Sequence, residues 1–245
     1  MKCIGGSMDS KYVLSEYYVR YLRDVREISE SSIKHYQDAL KYISKYLVNA
    51  GKIENSIYEV YDIGQLEVLR EFLYNDSEFM ALNVRGHQMY SAGLNNYYKF
   101  ASGKEFEKLG QRIQLLDVPL PVGACGQRTS KELNRSSIIK NQVIESSNYE
   151  CEIDIAHHTF VAKRTGKQYM EGHHLIPMKK QSMFESSLDI YANIVCLCPV
   201  CHRLLHYGMD ENKKNLLNIM YTDRTERLAK SGIRLSKEEF ISIAI

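Results

Sequence analysis

The apolar positions of the first hundred residues recur at helical spacing. Ile33, Tyr36, Leu40, Ile43 and Leu47 fall along one face of a helix that Ser29 or Ser31 can cap, and Gly51 is a natural stop for it. An earlier helix is expected from a cap at Ser10 to about Val25, a third over residues 65–74 and a fourth over 86–100. Thirteen of the 18 tyrosines lie in residues 1–98, and amphipathic spacing assigns them to packing. Between 102 and 129 the periodicity lapses, and Gly103, Gly110, Pro119, Pro121, Gly123 and Gly126 mark a boundary. A short helix is expected at 136–147. Two strands follow, at 169–175 after a turn at Gly166 and at 192–197. Pro199 then opens a helix, Asp210 caps another through Tyr221, and Ser236-Lys-Glu-Glu239 reads as a capping box before the last. The pattern describes an α+β protein: an all-helical domain at 1–110, a linker at 111–134 and a second domain at 135–245.

Composition adds few constraints. The 245 residues are 44% hydrophobic and 25% charged, ordinary for a soluble chain. No apolar run reaches the roughly 18 residues of a membrane span, and the start, Met1-Lys-Cys-Ile-Gly-Gly-Ser7, lacks the apolar segment of a signal peptide. A cytoplasmic protein with reduced thiols is expected, Cys3 and Cys125 standing apart as free ones. Net charge is +2, split between 14 Lys and Arg against 15 Asp and Glu in residues 1–110 and 18 against 15 in 111–245. That balance neither demands nor excludes a nucleic-acid partner.

The chemistry is concentrated. Six of the eight histidines and four of the six cysteines fall between Cys151 and His206. Cys198-Pro-Val-Cys201 has the spacing of half a tetrahedral zinc site. His202 and His206 are one helical turn apart and can reach one ion, while His173 and His174 point to opposite sides of a strand, so that one can bind metal and the other face a substrate. Cys151 is the obvious third zinc ligand. His157 ranks first for the fourth place, ahead of Asp154 and His158, because neutral imidazole suits zinc beside thiolates better than carboxylate does. Strand alternation turns Cys196 away from that site. Lys163, Arg164 and Lys167 flank a hairpin turn, Lys179 and Lys180 follow Pro177, and Arg203 lies beside the paired histidines; all six are candidates for phosphate contact.

The order of these residues resembles the HNH endonucleases, with a ββα-metal core, across residues 149–208. The matching elements are Glu171-Gly-His173-His174-Leu-Ile-Pro177, Asn193-Ile-Val-Cys-Leu197 and Cys198-Pro-Val-Cys201-His202-Arg-Leu-Leu-His206. HNH restriction enzymes that act on modified DNA are the nearest group. The resemblance implies that His174, just before x-x-P, is the general base and that His173, His202 and His206 hold a catalytic divalent ion such as Mg²⁺ or Mn²⁺. It implies that Asn193 holds the loop and orients His174, and that a structural Zn²⁺ sits apart. Many relatives have C-x-x-C at the first zinc pair, where this chain has Asp154. Glu171 reads either as a partner of a ligand or as a plain strand residue.

The function implied is hydrolysis of double-stranded DNA to 5′-phosphate and 3′-hydroxyl ends, in restriction or phage defence. Two cuts make a double-strand break, which fits a homodimer. Two other readings use the same residues: a non-catalytic zinc-stabilised DNA-binding module, and a nuclease acting on RNA. Residues 1–110 loosely resemble the SAM-like DNA-binding domain of tyrosine recombinases, through Ile28-Ser-Glu-Ser-Ser-Ile33, Tyr36, Leu40 and Tyr97-Tyr98-Lys-Phe100. That implies a targeting or interaction role.

Overall fold

The computed structural model describes residues 12–120, 122 and 136–245. The expected cap at Ser10, the thiols Cys3 and Cys125, and the boundary residues Pro121, Gly123 and Gly126 lie outside them. The chain forms two compact units, Met1–Ser102 and Gly103–Ile245. No helix among the described residues is long and apolar enough to cross a membrane.

The first unit is helical. Helix α1 (Val13–Arg20) runs into a π turn at Tyr21–Val25. Helix α2 (Glu30–Asn49) is capped by Ser29, whose hydroxyl accepts from the Ser32 N–H. It buries Ile33, Leu40, Ile43 and Leu47, the expected face, together with Ala39 and Ser44. It ends at Gly51, which takes φ +65° so that the Lys52 N–H can bond the Leu47 carbonyl at 2.9 Å. Helix α3 (Ile63–Asn75) and helix α4 (Ser77–Arg85) are capped by Asp62 and Asp76. Helix α5 (Met89–Ser102) packs along α2, and a Cβ on Gly93 would stand 2.7 Å from that of Ala39, so glycine there sets how closely the two helices approach.

The sequence reading had four helices here and missed α4. Its Asn75-Asp76-Ser77 start reads as the end of α3, yet Asp76 caps a new helix at once. The tyrosines pack as expected. Tyr18, Tyr58 and Tyr97 are buried in edge-to-face contacts with ring centroids 5.2 Å apart.

The second unit begins earlier than expected. Residues assigned to the first domain and the linker form 3₁₀ turns at Phe106–Lys108 and Gly110–Leu116, and Phe106 is buried against Tyr191, ring centroids 6.1 Å apart. Helix α6 (Ser137–Ser146), capped by Ser136, packs on a two-stranded antiparallel sheet of β1 (Glu171–His174) and β2 (Ile194–Leu197). Both strands are shorter than their hydrophobic runs suggested. Helix α7 (Pro199–Tyr207) follows β2 directly. Helix α8 (Asp210–Lys230) starts with Asp210 as its first residue and outruns the expected Tyr221 by nine positions. Helix α9 (Lys237–Ala244) has the expected capping box between Ser236 and Glu239.

Candidate functional site

Sheet and helix assemble one open cluster of imidazoles. In β1, His173 pairs with Val195 and His174 with Ile194, so the two side chains leave on opposite faces. His173 meets His202 and His206 of α7, and one nitrogen from each of the three lies within 4.8 Å of the others. His202 Nε2 and His206 Nε2 are 3.1 Å apart, close to the roughly 3.3 Å separation that two nitrogens take on a tetrahedral ion. Burial, then the neighbouring His202 and His206, push the His173 imidazole down to about 3, so it is neutral with its lone pair available. His206 is exposed, which leaves one side of the cluster open to water.

Glu171 fixes the geometry of this cluster. One of its oxygens accepts a short hydrogen bond from His202 Nδ1, and the other accepts from the Tyr169 hydroxyl at 3.0 Å. With Nδ1–H committed to the carboxylate, the Nε2 lone pair of His202 points into the cluster. Burial alone would raise the Glu171 carboxyl, but the His202 and Tyr169 hydrogen bonds outweigh it and hold the group below its usual range. Of the two readings left open for Glu171, its hydrogen bond to His202 favours the first, since the carboxylate backs an imidazole of the cluster.

On the other face, His174 Nε2 lies 2.8 Å from Asp189 Oδ1, with both side chains buried. Asp189 is held in turn by the Ser136 N–H at 2.9 Å. Asn193 does hold the loop. Its Oδ1 accepts from the Ile176 N–H at 2.8 Å, and its Nδ2 donates to the carbonyls of Ile176 and Leu188 at 2.9 and 2.8 Å. The ring of His174 is oriented by Asp189, which the sequence reading did not single out. No motif spacing marks this aspartate; it is an ordinary loop residue until folding buries it against the histidine.

The second cluster is built mainly from buried thiols. Cys151, His157, Cys198 and Cys201 place four donor atoms within 4.8 Å of one another. His157 Nδ1 is 3.7 Å from Cys198 Sγ and 3.4 Å from Cys201 Sγ. Tetrahedral zinc with its usual bond lengths separates such atoms by about 3.6 Å, so this Cys₃His set is compatible with a structural zinc. Burial would raise the Cys151 thiol, but hydrogen bonds from the Cys198 backbone and the His157 ring bring it down to about 7. Asp154 instead accepts from the Ala156 N–H at 2.8 Å and stands 3.9 Å from His157 Nε2, and His158 is not in the set. Cys196 is buried opposite Gly172 and likewise outside it; burial pushes its thiol up. Glu152 anchors the segment by accepting from the Cys196 N–H at 2.7 Å and pairing with Arg224.

The candidate phosphate contacts are at the surface. Lys163, Arg164 and Lys167 are exposed on a hairpin closed by the Val161–Gln168 bridge, with Gly166 at φ +67° in its turn. Lys179 and Lys180 sit on a 3₁₀ turn, Met178–Met183, next to Pro177. Arg203 is exposed on α7, its guanidinium 5.9 Å from the Tyr207 ring centroid.

Comparison with known proteins agrees with this geometry. Residues 150–208 match the family model described as HNH endonuclease, so the chain carries an HNH endonuclease domain. A stretch of 97 residues is 32% identical to the type IV methyl-directed restriction enzyme EcoKMcrA of Escherichia coli (strain K12). The match covers 40% of this chain and 32% of that enzyme, so the chain spans about a third of the relative's length. No solved structure matches the chain.

Proposed function

We propose that this protein is a metal-dependent DNA endonuclease of the cytoplasm, acting in restriction or phage defence and leaving 5′-phosphate and 3′-hydroxyl ends. The observation that carries the reading is the placement of two adjacent histidines on opposite faces of β1. His173 joins the open His202–His206 pair, and His174 is backed by a buried carboxylate. A DNA-binding zinc module would account for the Cys₃His set but would leave this arrangement without a task.

His174 donates Nε2–H to Asp189, so Nδ1 carries the lone pair that takes a proton from the attacking water. His173, His202 and His206 would hold Mg²⁺, Mn²⁺ or a related ion, which when bound supplies charge stabilisation at the phosphate and the leaving 3′ oxygen. Zinc in the Cys₃His set would tie the 151–157 segment to the first turn of α7 and so fix where His202 and His206 stand. Lys163, Arg164, Lys167, Lys179, Lys180 and Arg203 would neutralise phosphates of the duplex. The helical unit is assigned to targeting or partner binding. A methyl-directed relative makes modified DNA the first substrate to try. Purified protein incubated with modified and unmodified plasmid and Mg²⁺ or Mn²⁺, with the ends then mapped, tests the reading. Cleavage by wild type and none by His174→Ala supports it; equal cleavage by both removes it.

A further inference from the structure

The hairpin that leads into β1 reads Thr159-Phe-Val-Ala-Lys-Arg-Thr-Gly-Lys-Gln-Tyr-Met170, with three cations and no carboxylate. Across it the Tyr169 N–H donates to the Phe160 carbonyl at 2.9 Å, and the two rings lie parallel, 5.0 Å apart at 12°. Such a cross-strand pair steadies a hairpin, but it covers only one face of Phe160. That residue remains 65% exposed, and Val161 beside it 66%. The ring pair is also tied to the open cluster, since the Tyr169 hydroxyl bonds Glu171 and Glu171 bonds His202.

We infer that the outer face of Phe160 is a stacking platform for a single nucleobase next to the cleaved phosphate, with Lys163, Arg164 and Lys167 on the flanking phosphates. The inference rests on the DNA endonuclease reading and names how that substrate is gripped. A flat apolar face beside cations is complementary to a base face beside phosphates. In an intact duplex each base face is covered by its neighbour, so the platform fits a base drawn out of the stack at the cut.

The test is a coupling measurement on the full chain. His174→Ala is combined with Phe160→Leu, which keeps apolar contact with Tyr169 but has no flat ring. Affinity is measured on a duplex spanning the mapped cut and on a series carrying one abasic site at each flanking position. The expected result is a loss of about fivefold or more from Phe160→Leu on the intact duplex. That loss should vanish on the one abasic duplex lacking the stacked base and persist on the rest. Phe160→Trp, which keeps a ring, should bind the intact duplex at least as tightly as the parent. An equal loss on every duplex, no loss at all, or weakened binding by Phe160→Trp overturns the platform. If DNA is bound and cut but no position is coupled, the platform alone fails. If wild type neither binds nor cuts DNA, the endonuclease reading fails and the platform with it.

Discussion

The Cys151–His157–Cys198–Cys201 set and the His173–His202–His206 set share the nine-residue helix α7, the first through Cys198 at its N-cap and Cys201 in its first turn, the second through His202 and His206 a turn apart further along. The first has four donors, three of them buried thiols and the fourth a half-buried imidazole. The second has three imidazoles, one exposed, and a carboxylate behind one of them. A filled tetrahedron of thiolates and imidazole holds chain segments together and leaves no place for a reactant. Three imidazoles with one side exposed leave room for water and phosphate. Donor type, count and exposure differ between the two clusters within a few residues.

Removing Cys198 should have the largest effect. Cys198→Ser takes away a thiolate donor of the Cys₃His set, while its hydroxyl can still accept the Cys201 N–H at the start of α7, so the loss reports on the metal. The expected result is loss of zinc by elemental analysis and loss of cooperative unfolding by circular dichroism, because metal affinity at such a site contributes to folding free energy. A folded, zinc-free, active variant would abolish the distinction between the clusters.

His174→Ala should slow single-turnover cleavage at least roughly 10²-fold while calorimetry shows divalent-ion binding unchanged. His206→Ala should instead lose that binding. The contrast sharpens the division across β1, and identical calorimetric behaviour would erase it. Glu171→Gln should weaken divalent-ion affinity about 10- to 100-fold and leave zinc content intact, since its carboxylate bonds His202 and Tyr169 and lies outside the Cys₃His set. Asp189→Asn is expected to give the smallest change, a rate reduced by roughly tenfold or more with metal affinity unaltered. An unchanged rate would mean the histidine keeps its orientation without the charge.

Periodicity and caps carried most of the helical layout. The α2 face and the Ser236 box were readable because each depends on neighbours within four residues. Helix α8 outran its forecast for a physical reason. Arg224 occupies a buried position on it and pairs with Glu152, so a core position reads as a surface one. At the site, spacing marked the Cys198–Cys201 and His202–His206 pairs, ligand chemistry ranked His157, and the family resemblance singled out His173. Asp189 and the role of Glu171 were not legible, because a buried carboxylate next to a histidine fifteen or thirty-one residues away leaves no local pattern. The start of the second unit was hidden similarly: Phe106 is one aromatic among glycines until Tyr191 covers it.

The pairing of His173 with Val195 and His174 with Ile194 has one more consequence. Side chains alternate along a strand, so sliding β1 by one residue would present His174 to His202 and His206 and turn His173 toward Asp189. Two chemically identical rings would trade occupations with no change in composition. An insertion within 171–177 should therefore be ruinous, because the count of residues there decides which imidazole joins His202 and His206 and which meets Asp189.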